Sequence, residues 1–276
     1  MNIDTLIKII RDASQAELLP RFANVVHLHK DDGSIVTEAD TVMQDRLVSA
    51  LLNLMPDSLI LGEEMTTENQ QQLLTDHGEQ GEQGLWIVDP LDGTRNFAAG
   101  IPIFCVSVAW MVHGEVIAGV IYDPLRDECF SAYRGEGAWL NGQPLLVSHV
   151  ELQLKQCIAV IDFKRLTAPL AKRLAANPPY ASQRGFGSGA LEWCWLAAQR
   201  YQLYLHGNQK LWDYAAGELI LQEAGGMSCT LTGEEAGQAR KLSRSVVAAT
   251  HGNLFESWKK WILADPNNSN NSVIKH

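Results

Sequence analysis

Two short apolar runs in this chain end abruptly on acid. Ser58-Leu-Ile-Leu61 gives way to Gly62-Glu63-Glu64, and Leu85-Trp-Ile-Val88 gives way to Asp89-Pro-Leu-Asp92-Gly-Thr94. Short apolar runs bounded by turn formers are the pattern of buried strands. Two such strands lying side by side in one sheet would carry Glu63, Glu64, Asp89 and Asp92 to a common edge. Carboxylates crowded in that way repel, and at neutral pH one or more would have to keep a proton unless a cation sits among them. A divalent cation removes the difficulty. An oxygen-only donor set favours Mg²⁺, Mn²⁺ or Ca²⁺ over zinc, and His27-x-His29, the nearest approach to a zinc pair, has no partner at zinc-site spacing.

The rest of the chain supplies the frame. With 276 residues, 46% of them hydrophobic, it can bury a large core as one domain or as two tightly packed halves. Ile3, Leu6, Ile7 and Ile10 recur at helical spacing and predict a first helix reaching about Phe22. Val42, Leu47, Leu51 and Leu54 line a second helix, which Pro56 stops. The polar stretch 70–84, with its GEQGEQG repeat, reads as a mobile surface loop. From Phe104 to Val147, apolar runs broken by turn residues predict a β-meander with Asn141-Gly142 as one hairpin turn. Beyond it the pattern predicts strands over 157–161, 201–205 and 245–249, and helices over 168–176, 190–199, 214–223 and 254–263. Strands and helices interleave without regular βα repeats, which predicts a layered α+β architecture. The chain is read as one unit over 1–265, with halves of about 1–150 and 151–265 and a disordered tail at 266–276.

Charge and cysteine usage narrow the function. A formal charge of −10 excludes an extended nucleic-acid face, so no nucleic-acid polymer is expected as partner. The five cysteines are scattered and odd in number, as expected of buried thiols in a reducing compartment. Cys194, between Trp193 and Trp195, reads as core packing. The first residues lack a basic leader and no apolar run spans a membrane, so the expected location is cytoplasmic.

After the second acidic strand end, Gly93 lets the backbone turn closely and frees the amides of Gly93 and Thr94 at the start of a short helix. Such amides hold a phosphate oxygen. Metal-binding carboxylates beside an anion cradle make a phosphoryl-transfer site. The competing reading is a strand-to-turn junction in which Asp89 and Asp92 only cap the backbone.

Several segments together carry a resemblance. Gly62-Glu63-Glu64, Trp86-Ile-Val-Asp-Pro-Leu-Asp-Gly-Thr94 with Asn96-Phe97, Leu211-Trp-Asp-Tyr-Ala-Ala-Gly217 and Glu223-Ala-Gly-Gly226 resemble, in order, the signature segments of the inositol monophosphatase family. Val36-Thr37-Glu38-Ala39-Asp40 resembles its N-terminal acidic motif, and Gly187-Ser188 its substrate-side glycine loop. The resemblance implies an α+β fold, the layered α/β/α/β/α sandwich shared with fructose-1,6-bisphosphatases. It also implies a lithium-sensitive, Mg²⁺-dependent phosphatase that holds two or three ions, for which Mn²⁺ can substitute. It assigns the metals to Glu63, Asp89, the Leu91 carbonyl, Asp92 and Asp213. It gives Thr94, hydrogen-bonded to Asp40, the task of polarising a metal-bound water, with Glu63 beside them in the catalytic set. Gly93, Thr94, Gly187, Ser188, Gly189, His206 and Asp213 become the substrate-binding positions. The implied partners are a small phosphorylated metabolite and a second copy of the chain in a homodimer.

Two positions depart from the pattern. Many inositol-type members carry a glutamate at the register of His206, where it accepts substrate hydroxyls; an imidazole cannot replace a carboxylate accepting two such bonds. Gly189 stands where alanine is common, which predicts a wider pocket or a looser loop. Inositol phosphate, other sugar phosphates, histidinol phosphate and 3′-phosphorylated adenosine nucleotides stay open as substrates, as does a non-catalytic metal- or phosphate-sensing role. A haloacid dehalogenase reading fails because two residues, Pro90 and Leu91, separate the aspartates. Gly185-x-Gly187-x-x-Ala190 is a weak dinucleotide fingerprint, with no acidic ribose partner in place.

Overall fold

The computed structural model describes residues 2–22, 27–29, 35–77, 83–148, 150–234 and 241–264. The expected disordered tail, most of the GEQGEQG repeat and the polar stretch before Ile35 lie outside them, as do the side chains of His27 and His29.

Helix α1 (Ile3–Glu17) is capped by Asn2, whose side chain accepts from Asp4 N–H at 2.8 Å. It stops short of Phe22, because Pro20 falls in a separate single turn, Leu19–Arg21. A small hairpin of β1 (His27–His29) and β2 (Ile35–Thr37) leads into α2 (Glu38–Leu54). Leu6, Ile10, Met43, Leu47 and Leu51 of these two helices pack on Trp86, Val88, Val106 and Val108.

Those four residues belong to a sheet in which seven strands run side by side in chain order. The strands are β3 (Leu59–Gly62), β4 (Leu85–Asp92), β5 (Cys105–Val112), β6 (Glu115–Asp123), β7 (Glu128–Tyr133), β8 (Gly137–Leu140) and β9 (Gln143–Pro144). From β4 onward neighbours are antiparallel, as the meander predicted. The β3–β4 pair is parallel. A parallel pair needs a crossover, and α3 (Thr67–His77) supplies it where the sequence suggested a loop. Gln70, buried despite its polarity, anchors α3 by donating to Gly62 O at 2.9 Å.

After β4 comes a short helix, α4 (Thr94–Ala98). The second half builds another sheet from β10 (Ile158–Asp162), β11 (Ser182–Arg184), β12 (Leu203–Lys210), β13 (Met227–Cys229) and β14 (Ser243–Ala249), in the order β11-β10-β12-β14-β13. Its helices are α5 (Ala168–Ala176), α6 (Gly189–Ala197), α7 (Leu211–Glu223) and α8 (Gly252–Leu263). Helices α6 and α7 fill the space between the sheets, with Trp193, Leu196, Ala216 and Leu219 meeting Ile87 and Ile121 on one side and Val160, Tyr204 and Val246 on the other. Leu170 and Leu174 of α5 and Trp258 and Ile262 of α8 cover the outer face of the second sheet. The outcome is an α/β/α/β/α layering, an α+β fold. Among the described residues no helix is long and apolar enough to cross a membrane.

Three departures from the sequence reading bear on function. Strand β4 runs on through Asp92 instead of stopping at Val88. Strand β12 extends to Lys210, and α7 starts at Leu211, which puts Asp213 in its first turn. Strands β11 and β13 are three-residue edge strands, too short and polar to show a period.

Candidate active site

The register of β3 on β4 pairs Gly62 with Val88, and Glu63 N–H donates to Val88 O at 3.2 Å, so the acidic end of β3 abuts Asp89. Along β4, Asp89 and Asp92 are three residues apart, and regular pleating would send them to opposite faces. The pairing with β5 prevents this: Asp89 lies opposite Ser107 and Asp92 opposite Cys105, so one extra residue is accommodated on β4. This bulge turns both carboxylates the same way. Asp213 arrives from α7, and the carboxylate oxygens of Asp89, Asp92 and Asp213 lie within 4.8 Å of one another.

All three carboxyls are pushed above the usual aspartate range. For Asp89 the causes are burial, then the charges of Glu63, Asp92 and Asp213. For Asp213 they are burial, then Asp92 and Glu63, opposed by the Lys210 N–H and the charge of Arg165. Asp92 is raised by burial against the hydrogen bonds it accepts. Among the described residues none pairs ionically with this trio. Glu63 is half-buried beside it, and its charge reaches Asp89 and Asp213 without completing the 4.8 Å group. Glu64 points to solvent. Buried anionic oxygens without a matching cation, and with no thiolate or imidazole among them, are a donor set suited to a hard divalent cation.

Asp92 also joins the two halves. Its Oδ2 accepts from Ser188 Oγ at 2.6 Å and from Ala190 N–H at 2.7 Å, and its Oδ1 from Gly189 N–H at 3.2 Å. Asp92 thus caps α6 from another sheet, while Asp89 accepts from Leu91 N–H at 3.0 Å. Backbone capping and the carboxylate cluster therefore coexist. Cys105 Sγ lies 3.7 Å from Asp92 and 3.6 Å from Ser188 Oγ, a buried thiol whose ionisation burial suppresses. Cys194 is likewise buried, with its thiol pushed well up by burial.

The turn after Asp92 depends on Gly93, whose φ of 91° is strained for any residue with a Cβ. Thr94 then places its hydroxyl 3.1 Å from Asp40 Oδ1 and 3.0 Å from Leu91 O, one proton facing two acceptors. Asp40 is fixed as the third residue of α2, where its Oδ2 accepts from Thr37 N–H at 2.7 Å and Thr37 Oγ1 at 2.6 Å in a capping box. Burial raises the Asp40 carboxyl, against the hydrogen bonds from Thr37 and Thr94.

Comparison with known proteins agrees in extent and in fold. The sequence profile of the inositol monophosphatase family matches residues 3–267. The chain belongs to the inositol monophosphatase family. Inositol monophosphatase 1 of Solanum lycopersicum is 35% identical over 237 residues, covering 84% of this chain and 83% of that protein. Nus factor SuhB of Haemophilus influenzae is 38% identical over 218 residues, covering 78% and 77%. The solved structure of a Thermotoga maritima IMPase superposes with a TM-score of 0.80 at 30% identity, covering 95% of this chain and 96% of that one.

Within this member of the inositol monophosphatase family, the loop 186–189 is held by a residue the sequence reading passed over. Glu192 of α6 accepts from Phe186 N–H at 2.8 Å and Gly187 N–H at 3.2 Å, and burial pushes its carboxyl up to about 7. The signal was present: a lone carboxylate in the otherwise apolar Ala190–Ala197 run is costly to bury unless something binds it. Gly189 does not open a void. A Cβ there would come within 2.7 Å of Gln209 Nε2 and 3.3 Å of Asp213 Cβ. Gln209 is held in place by Trp193 Nε1–H at 2.9 Å and by its own bond to Tyr204 OH at 3.1 Å. His206 is buried at the end of β12, its Nε2 3.0 Å from Asp162 Oδ2 and its Nδ1 accepting from Asn208 N–H at 3.2 Å. Both ring nitrogens are engaged within the protein, so the ring has no atom left for the substrate contact expected of it.

Proposed function

We propose that this chain hydrolyses a phosphate monoester of a small polyol, sugar or related metabolite. The observation that carries this reading is the trio Asp89, Asp92 and Asp213, three buried or half-buried carboxylates within 4.8 Å, raised for want of a cation and set beside the Thr94–Asp40 pair. We assign two or three Mg²⁺ ions, with Mn²⁺ able to substitute, to Glu63, Asp89, the Leu91 carbonyl, Asp92 and Asp213. When bound, such ions supply neutralising charge to the phosphoryl group and a more acidic water.

The chain's own residues do the rest. Asp40, locked by Thr37, accepts the Thr94 hydroxyl proton, so that as the attacking water gives a proton to the Thr94 oxygen the threonine passes its own to the Asp40 carboxylate. Gly93 and Thr94 turn the backbone towards the phosphate, and Asp92 fixes the Gly187–Gly189 loop against it through Ser188 and Ala190. The protein works as a homodimer in the cytoplasm. Five unpaired cysteines suit a reducing compartment, and Ile101 and Leu125 offer an exposed apolar face tied together by Arg126 donating to Pro102 O at 2.9 Å.

Phosphate release with Mg²⁺ and its loss in EDTA test this reading, across inositol phosphate, sugar phosphates, histidinol phosphate and 3′-phosphoadenosine nucleotides compared by kcat/KM. Full activity in chelator rejects it. A second reading, a regulatory protein, is favoured by the relative named Nus factor SuhB. Mg²⁺ binding with no turnover on the whole panel would support that reading instead.

A further inference from the structure

Asn96 is the third residue of α4, two positions beyond Thr94. Its Nδ2 donates to Ile103 O at 2.9 Å and to Phe186 O at 2.7 Å. Both partners are carbonyls, so the contact needs a group with two protons to give, and the carboxamide spends both of its own there. The first bond closes the return from α4 to β5. The second crosses to the other half of the chain and ends on the loop before α6.

That loop is fixed from three directions. Glu192 Oε1 accepts from Phe186 N–H at 2.8 Å and from Gly187 N–H at 3.2 Å, and Asp92 Oδ2 accepts from Ser188 Oγ at 2.6 Å and Ala190 N–H at 2.7 Å. Phe186 C=O and Gly187 N–H belong to one peptide plane. Asn96 holds that plane at its oxygen and Glu192 at its nitrogen, so it cannot turn over. Gly187 fits there only without a Cβ: its φ is 77°, and a Cβ would lie 3.3 Å from Asn96 Nδ2. Gly187 is exposed, and its own carbonyl has no hydrogen-bond partner among the described residues. With the plane before it clamped and Ser188 after it tied to Asp92, that carbonyl is held in one direction.

On the phosphatase reading above, we propose that Asn96, together with Glu192, is a positioning residue for the alcohol part of the substrate. It fixes the Phe186–Gly187 peptide so that the Gly187 backbone meets a substrate hydroxyl in a single orientation. The same short helix carries Thr94, so one turn of chain sets both the phosphoryl side and the alcohol side of the site. Loss of the clamp therefore weakens recognition of a hydroxyl-bearing alcohol and spares the phosphoryl chemistry.

The test uses the full chain with Mg²⁺ and three esters: inositol 1-phosphate and ribose 5-phosphate, whose alcohols carry hydroxyls, and phenyl phosphate, whose alcohol carries none. Asn96→Ala should lower kcat/KM for the better of the hydroxyl-bearing esters by about 5- to 10-fold, mainly through KM, the size of one hydrogen bond. For phenyl phosphate kcat/KM should change little. Glu192→Ala should give the same pattern, and the double variant should be little worse than the more impaired single one, because both side chains act on one peptide. Glu192→Gln should restore the wild-type preference, since both N–H bonds end on one oxygen that a glutamine carbonyl can replace. In metal-free protein, amide hydrogen exchange over 186–189 should speed up in Asn96→Ala and stay slow in Glu192→Gln. Asn96→Ser, which keeps one donor, takes the place of Asn96→Ala if the latter does not fold. Equal losses on all three esters, no loss on any, a Glu192→Gln variant as impaired as Glu192→Ala, or unchanged exchange in Asn96→Ala each overturn the inference and leave the phosphatase reading standing. Hydrolysis of none of the three by the wild type overturns both.

Discussion

Two carboxylate sites in this molecule have opposite electrostatics. Asp89, Asp92 and Asp213 converge with no ion pair among the described residues, and burial and mutual repulsion push their carboxyls up. Asp162 is held below the aspartate range: burial works against it, but the hydrogen bond from His206, the Lys164 N–H and the charge of Arg165 together outweigh burial. The first site is a demand for cations from outside the chain. The second is already balanced within the chain, by His206, Lys164 N–H and Arg165. A phosphatase reading rests on the first.

The largest expected effect comes from breaking the first site. Asp92→Asn should abolish phosphate release, because it removes a charge from the trio. It should also weaken the cap of α6 by about 1 kcal/mol, since the amide nitrogen meets either Gly189 N–H in the place of Oδ1, or Ser188 Oγ and Ala190 N–H together in the place of Oδ2. Turnover above a tenth of wild type, measured with saturating Mg²⁺, would remove Asp92 from the role assigned to it. Thr94→Ala comes next: kcat should drop by about 10²–10⁴ with Mg²⁺ affinity, measured by titration calorimetry, little changed. A near-normal kcat would show that the Thr94–Asp40 hydrogen bond is structural only.

How far the sequence foretold these sites depends on what each residue needs. Asp89 and Asp92 were legible because they follow buried strands, yet the bulge that turns them to one side arises from pairing with β5, which leaves no local mark. Asp213 lies far along the chain, and only the family resemblance connected it with the others. Helix α3 was missed because its Gln-rich face buries little beyond Gln70 and Leu74. His206 was read as a departure from the pattern and as a substrate contact, but Asp162 reaches it from β10, so that engagement was out of reach of the sequence. Gly189 was read as widening the pocket or loosening the loop, whereas Gln209 fills the space a Cβ would need.

The contrast sharpens with pH. The trio's folded carboxyls are raised, so in metal-free protein their contribution to stability is full below about pH 4, the unfolded aspartate value, and is lost as pH rises through the folded values. Mg²⁺ binds the deprotonated folded form, so the rise in Tm on adding it should grow between pH 5 and 7.5, reaching the equivalent of about 3 kcal/mol at a hundredfold excess over Kd. Glu192, raised to about 7, adds a slope of the same sign that Mg²⁺ does not cancel, and Glu192→Gln should remove it. A Tm increment that is flat or falling with pH would show that the trio is not the binding site.

The smallest effect should come from Asp162. Asparagine can still accept from Lys164 N–H or from His206 Nε2–H through its one carbonyl oxygen, but not from both along the two directions seen here. Asp162→Asn should therefore cost about 1 kcal/mol by urea unfolding at neutral pH, the size of one net hydrogen bond. Its pH behaviour should run opposite to that of the trio. Because the folded carboxyl of Asp162 is lowered, its stabilisation is present above the unfolded aspartate value and is lost as pH falls through the folded one. The stability gap between wild type and variant should then close below about pH 4, where the trio's contribution is at its fullest. Catalysis should respond little in kcat, since Asp162 is engaged with His206 and Lys164 and touches no phosphoryl-side group. A gap that widens in acid would mean that Asp162 is not the balanced carboxylate the geometry describes.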